Sequence, residues 1–137
     1  MNAPDYPPDF LTFLESHTGN DAYEFDDVDW WVATKSELVA DINIDGTEYM
    51  YSKQLAGYSN ALAALSGGMS TEDDDGNAYP LARLAAGLAF ATGDGEVLYF
   101  DPADGFSVWQ FEHDGGEVTR LADSFTDWLQ SADLETD

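Results

Sequence analysis

Carboxylates beside aromatic rings are the features of this sequence best suited to chemistry, and that chemistry would be the binding of a cationic partner. Aromatic rings supply contact area that loses its water on binding, and a rim of carboxylates supplies complementary charge. The candidate partner-binding residues are Glu24, Asp26, Asp27, Asp29, Trp30, Trp31, Glu72, Asp73, Asp74, Asp75 and Trp109.

Each of these candidates also has a purely structural interpretation. Both acidic runs are equally typical of solvated loops, with Trp30 and Trp31 divided between core and surface. Trp109 points away from Val108 and Gln110 along a β-prone run, either to an open sheet face or into the core. The sequence leaves these alternatives open.

Residues that suggest catalysis are few. His113 stands between two acids and suits a general base, although a hairpin turn residue is the commoner role. His17 lies on the apolar stripe of a predicted helix, as a satisfied, partly buried residue would. Asp101 and Asp104 suit acid–base hydrolysis in a cleft, but such pairs arise by chance in so acidic a chain. With no nucleophile elbow and no phosphate-binding loop, we expect no enzyme activity.

Cofactor and metal sites are not expected either. The chain has no cysteine, which excludes thiolate ligands. An EF-hand loop with Gly76 at its sixth position would begin at Thr71 and require a twelfth-position Glu, where Ala82 stands. Gly93 and Gly95 lack the third glycine of a dinucleotide-binding fingerprint.

The charge imbalance requires an explanation of its own. Four Lys and Arg residues stand against 28 Asp and Glu, giving a formal charge of -24, which opposes folding by self-repulsion. A surface made for a basic protein partner, adaptation to a salt-rich cytoplasm, and simple solubility are the competing explanations. Nucleic acid is disfavoured as a partner because its phosphates repel such a surface.

The length of 137 residues fits one domain spanning residues 1–137. The start of the sequence lacks the basic and apolar regions of a signal peptide, and no run is long enough to cross a bilayer. We therefore expect a cytoplasmic protein without membrane contact, as a monomer or weak dimer.

Hydrophobic spacing predicts helices in the first half and strands in the second. Helices are expected after Pro8 with Gly19 as the stop, from the Thr34 to Glu37 capping box to about Asp45, over 49–65 closed by Gly67, and after Asp123 or Ser124. The segments 21–29 and 71–77 read as loops, and the tail 132–137 as frayed. Strands are expected over 30–32, 79–84, 87–92, 96–101, 106–112 and 117–120, with 97–100 buried on both faces. The prediction is an α+β fold: a mostly antiparallel sheet of about five or six strands, covered by helices and closed by a C-terminal helix.

Three stretches carry a resemblance to a known family. They are Gly87 to Pro102, with its Gly93-Asp94-Gly95 turn, Val108 to Asp114, and Leu121 to Leu129, which opens the last helix with Ala122-Asp123-Ser124-Phe125. Together with Pro7 to Leu14 they resemble the SUKH superfamily, which includes bacterial immunity proteins and a domain of fungal cell-wall regulators. The long helix usual before the proline motif is missing, and the middle of the chain matches loosely.

The resemblance implies a non-catalytic α+β scaffold that binds other proteins. Many bacterial members are thought to neutralise a cognate polymorphic toxin, often a nuclease, by direct binding. Applied here, this predicts an immunity-type protein for a basic toxin domain. The alternative is a regulatory or scaffolding module of the same fold with no toxin partner.

Overall fold

Antiparallel strands form the centre of the computed structural model, which describes residues 6–17, 22–25, 27–44, 46–68, 70–112 and 116–135. The helices are α1 (Pro8–Leu14), α2 (Lys35–Leu38), α3 (Gln54–Ser66), α4 (Leu81–Ala85) and α5 (Phe125–Ser131). The strands are β1 (Ala22–Phe25), β2 (Val28–Val32), β3 (Asp41–Ile44), β4 (Thr47–Met50), β5 (Ser70–Glu72), β6 (Ala78–Pro80), β7 (Leu88–Gly93), β8 (Glu96–Asp101), β9 (Ser107–Phe111), β10 (Val118–Ala122) and β11 (Asp133–Glu135).

One antiparallel sheet organises the described residues, with seven strands in the order β10-β9-β8-β7-β2-β1-β11. The pairs β3–β4 and β5–β6 form separate two-stranded hairpins. One face of the sheet packs on α1 and α5, and the other face of its β7–β10 half packs on α3, α4 and β6. The predicted α+β class and the closing helix are confirmed.

Strand β8 shows why this sheet needs cover on both sides. Leu98 and Phe100 belong to the core beneath α1 and α5, whereas Val97 and Tyr99 belong to the core beneath α3 and α4. Successive side chains of a strand point to opposite faces of the sheet. A run of four apolar residues is therefore buried only if both faces are covered. The prediction for residues 97–100 is confirmed.

Three local helix signals are confirmed, whereas the helix expected over 49–65 begins only at Gln54, after β4. Thr34 and Glu37 form the predicted capping box, and Gly67 ends α3 in the left-handed conformation with φ 68. Ser124 caps α5 by accepting a hydrogen bond from the Asp127 amide at 3.1 Å. The Gly19 stop predicted for α1 lies outside the described residues.

Two hairpins replace elements expected in the first half. The segment 21–29, predicted as a loop, contains β1 and the start of β2, because Tyr23 and Phe25 alternate with acids and pack inward. The capping-box helix ends at Leu38, not near residue 45. Ile42 and Ile44 favour a strand, and Gly46 at φ 85 makes the turn into β4.

Three secondary-structure predictions for the second half of the chain were wrong, because contacts with distant residues decide these segments. The loop expected over 71–77 is shorter, because residues 71 and 72 belong to β5 and pair with β6, whose Tyr79 is 1% exposed and anchors the hairpin. The strand expected over 79–84 ends at Pro80, and α4 follows. The tail expected to fray supplies β11, whose backbone pairs with β1.

Within the described residues, no helix has the length and apolar character to cross a bilayer.

A buried carboxylate joins the two layers at one end of β8. The Asp101 side chain is 0% exposed and lies 2.6 Å from the Arg83 guanidinium of α4. Its Oδ2 also accepts from the Tyr79 hydroxyl at 2.9 Å, and its Oδ1 accepts from the Ala103 amide at 2.9 Å. The Tyr99 hydroxyl donates to Tyr79 at 3.1 Å, which extends the network into the core.

Replacing Asp101 with Ala should destabilise the fold by about 3 kcal/mol or more, because it strips Arg83 and Tyr79 of their shared acceptor. Urea denaturation would measure this loss. Asp123→Ala is the control: this carboxylate also pairs with an arginine, but it is 76% exposed, so its removal should cost less than about 1 kcal/mol. Equal losses would show that Asp101 is not an anchor.

The buried tyrosines predict unfolding at alkaline pH. Burial raises the pKa of Tyr6, Tyr79 and Tyr99 far above the ordinary 10.0, and that of Tyr51 to about 12. The folded state therefore holds these protons more tightly, so the stability is complete below pH 10.0 and is lost as pH rises toward the folded values. The tyrosinate absorbance of these four residues should appear together with the loss of circular dichroism. Absorbance from all four tyrosines well before unfolding would contradict this, and Tyr99→Phe should delay the transition.

Candidate protein-interaction surface

Three connections meet at one end of the sheet, here called the turn end. They are the β1–β2 turn, the β7–β8 turn and the β9–β10 connection, and they lie together because adjacent strands run in opposite directions. Trp31 pairs with Thr92, so β2 begins beside the point where β7 ends. The two strands approach so closely here that a Cβ on Gly93 would collide with the Asp29 carbonyl oxygen.

Acidic residues concentrate at the turn end. Asp27, Asp29, Asp94 and Glu117 are exposed there, and Glu96 and Glu112 are half-buried. The Glu72 to Asp75 hairpin joins them, because the Thr71 hydroxyl donates to the Gly116 carbonyl at 2.6 Å. Glu72 and Glu117 line the same open depression of about 580 Å³. The fold thus brings the two predicted acidic segments to one end of the molecule.

All four basic residues, each within the described ranges, lie toward the opposite end. Arg83 pairs with Asp101 at the end of β8, and Arg120 pairs with Asp104 at 2.9 Å in the following turn. Lys53 lines a depression with residues at the start of β7, and Lys35 follows the end of β2. The turn end therefore contains many carboxylates and no lysine or arginine.

Trp31 is the exposed ring among these carboxylates. It is 52% exposed, and with Asp27, Val28, Asp29 and Asp94 it lines an open depression of about 400 Å³. Asp29 stands directly across from Glu24 in the β1–β2 pair, a like-charge pairing that costs stability. Such a cost is consistent with a site retained for binding.

Trp30 and Trp109 do not belong to this surface. Trp30 is 0% exposed, packs in the core and donates its indole N–H to the Phe25 carbonyl at 3.3 Å. Trp109 is 5% exposed and donates to the Ser107 hydroxyl at 2.8 Å. The prediction that these two rings contact a partner is therefore wrong. Strand alternation turns Trp30 inward, and the α3–α4 layer covers Trp109. Asp26 lies outside the described residues.

The Glu72 to Asp75 segment combines exposure with a local structural role. Asp73 Oδ1 accepts from the amides of Asp75 at 3.0 Å and Asn77 at 2.9 Å, which shapes the turn. Carboxylate oxygens of Asp73, Asp74 and Asp75 come within 4.8 Å of one another. Glu72, Asp74 and Asp75 are exposed, so the segment contributes charge to the turn end.

Asp94 and Glu117 belong to the site but were not among the predicted contact residues. Asp94 occupies the β7–β8 turn at φ 51, and Asp27 occupies the β1–β2 turn at φ 65. The Gly93-Asp94-Gly95 sequence marked the turn, and only the strand order shows that it adjoins Trp31. Glu117 likewise joins Glu72 through the packing of two hairpins.

His17 and Asp104 have structural roles. His17 Nε2 lies 2.6 Å from the Val32 carbonyl and its ring stacks on Phe13, as a satisfied, partly buried histidine would. Hydrogen bonds from Arg120 and Ser107 lower the pKa of Asp104, opposite to what a general acid requires. His113 lies outside the described residues.

The model of the SMI1 / KNR4 family (SUKH-1) matches residues 5–131. No curated protein and no solved structure matches significantly.

The neighbouring tryptophans provide a test of this surface. Trp31→Ala should change the free energy of unfolding by less than about 1 kcal/mol, because the ring is half exposed. Trp30→Ala should cost about 3–5 kcal/mol, because it opens a cavity in the core. Urea denaturation would measure both values, and the tryptophan fluorescence that acrylamide, a neutral quencher, can reach should disappear with Trp31. A large loss for Trp31→Ala would place that ring in the core.

Proposed function

Since the chain belongs to the SMI1 / KNR4 family (SUKH-1), we propose that it is an immunity-type protein that neutralises a basic toxin domain by direct binding. A nuclease is the toxin class that best fits, because a nuclease presents cationic residues to phosphates. The proposal requires no catalysis by this chain. It acts by occupying the cationic surface that the toxin needs for its substrate.

The separation of charge along the sheet is the observation that carries the proposal. An end with many carboxylates and no lysine or arginine attracts a cationic surface over long distances and accelerates association. The same end presents Trp31, a ring that supplies desolvated contact area. Charge for steering and an aromatic anchor therefore occur on one surface.

Salt adaptation accounts for the number of acids but not for their arrangement with Trp31. A salt-adapted surface needs carboxylates everywhere, and acids do occur at both ends of the molecule. At the opposite end, however, Arg83 and Arg120 bind Asp101 and Asp104, whereas the turn end contains no lysine or arginine. An exposed tryptophan surrounded by carboxylates matches the aromatic centre and charged rim of a binding site.

Under this proposal, co-expression should restore the growth of cells that the product of the neighbouring gene arrests, and the affinity between the two proteins should fall steeply with added salt. Growth arrest that persists despite soluble expression of both proteins would refute neutralisation. An affinity indifferent to salt would refute the electrostatic mechanism.

A matched pair of double variants locates the contact. Asp29→Asn with Asp94→Asn removes two charges at the turn end, and Glu15→Gln with Asp123→Asn removes two exposed charges elsewhere. The first pair should slow association several-fold at low salt, and the control pair much less. Equal effects would show that only the net charge matters.

A further inference from the structure

The sheet face at Trp31 is open to solvent, since the ring is 52% exposed. Helices α3 and α4 cover the β7–β10 half of this face, and their core includes Val97, Tyr99 and Trp109. Trp31 and Asp29 extend from β2 on the same face and are exposed. Within the described residues, Trp31 and Leu65 are the two exposed large hydrophobic side chains, and Leu65 lies on α3.

Charge decides which kind of group fits this face. Asp27, Asp29 and Asp94 line the depression with Trp31, so a purely apolar occupant would remove water from carboxylates without replacing their hydrogen bonds. A cation avoids that cost. An arginine guanidinium stacks flat on an indole ring and donates paired hydrogen bonds to a carboxylate, whereas a lysine ammonium is a strongly hydrated point charge.

The same combination already exists inside this protein. The Arg83 guanidinium lies 4.5 Å from the Tyr79 ring centre and 5.4 Å from that of Trp109. Its terminal nitrogen contacts Asp101 at 2.6 Å. There the arginine, the rings and the carboxylate are all supplied by one chain. At Trp31 the ring and the carboxylates are present, and no arginine of this chain lies at that end.

We propose that the partner inserts an arginine side chain into the Trp31 depression, where it stacks on the indole and pairs with Asp29 or Asp94. This inference rests on the proposed function for the identity of the partner. Asp27 and Asp94 occupy the turns beside Trp31 and line the same depression, so a guanidinium stacked on the ring would have carboxylates within reach.

Labelled hexa-arginine and hexa-lysine peptides test the inference without a toxin. Fluorescence anisotropy at low salt should show that the intact protein binds hexa-arginine about two- to fivefold more tightly than hexa-lysine. Trp31→Leu, which keeps an apolar side chain, should bring that ratio close to one. Leu65→Ala, the matched change at the other exposed hydrophobic residue, should leave the ratio unchanged.

The outcomes separate this inference from the proposed function. Equal affinities for the two peptides, or a ratio that survives Trp31→Leu, would overturn the arginine site even if toxin neutralisation succeeds. An arginine preference lost in Trp31→Leu but not in Leu65→Ala would support the site even if no toxin is neutralised. Circular dichroism of each variant confirms that it is folded before binding is compared.

Discussion

The arrangement of this protein depends on the ion pair and hydrogen bonds of the buried Asp101 carboxylate. A fully buried charge is tolerated only when its hydrogen bonds are satisfied, and Asp101 draws them from α4, β6 and the turn after β8. Those contacts hold the α3–α4 layer in register with the sheet. They also retain one of only four basic side chains at the end opposite the acidic turns.

The uneven distribution of charge follows from the small number of lysine and arginine side chains. With so few lysines and arginines, pairing Arg83 and Arg120 with Asp101 and Asp104 leaves no arginine for the turn end. Repulsion among the turn-end carboxylates must then be offset by the core. Two aromatic clusters on opposite faces of β8 supply that stabilisation, which allows an electrostatically unfavourable end to remain folded.

Features set by neighbouring residues were predictable from sequence, and features set by distant pairing were not. The capping box of Thr34 and Glu37 and the doubly buried 97–100 strand depend on local spacing. Strand β11 exists only because β1 offers its edge, and no local pattern of the tail indicates that partner. The helix expected to continue toward residue 45 was wrong for a different reason. The capping box marks where a helix begins but not where it ends, and the turn at Gly46 belongs to the β3–β4 hairpin.

The candidate surface shows the same division. Adjacent tryptophans on a strand must face opposite sides, so one buried and one exposed ring were foreseeable, but which ring faced outward depended on the register of β2. Trp30, packed in the core with its N–H bonded to Phe25, fixes that register. The burial of Trp30 therefore directs Trp31 to the opposite, solvent-exposed face. In the proposed complex, a ring carried on a strand would lose less backbone freedom than a ring carried on a mobile loop.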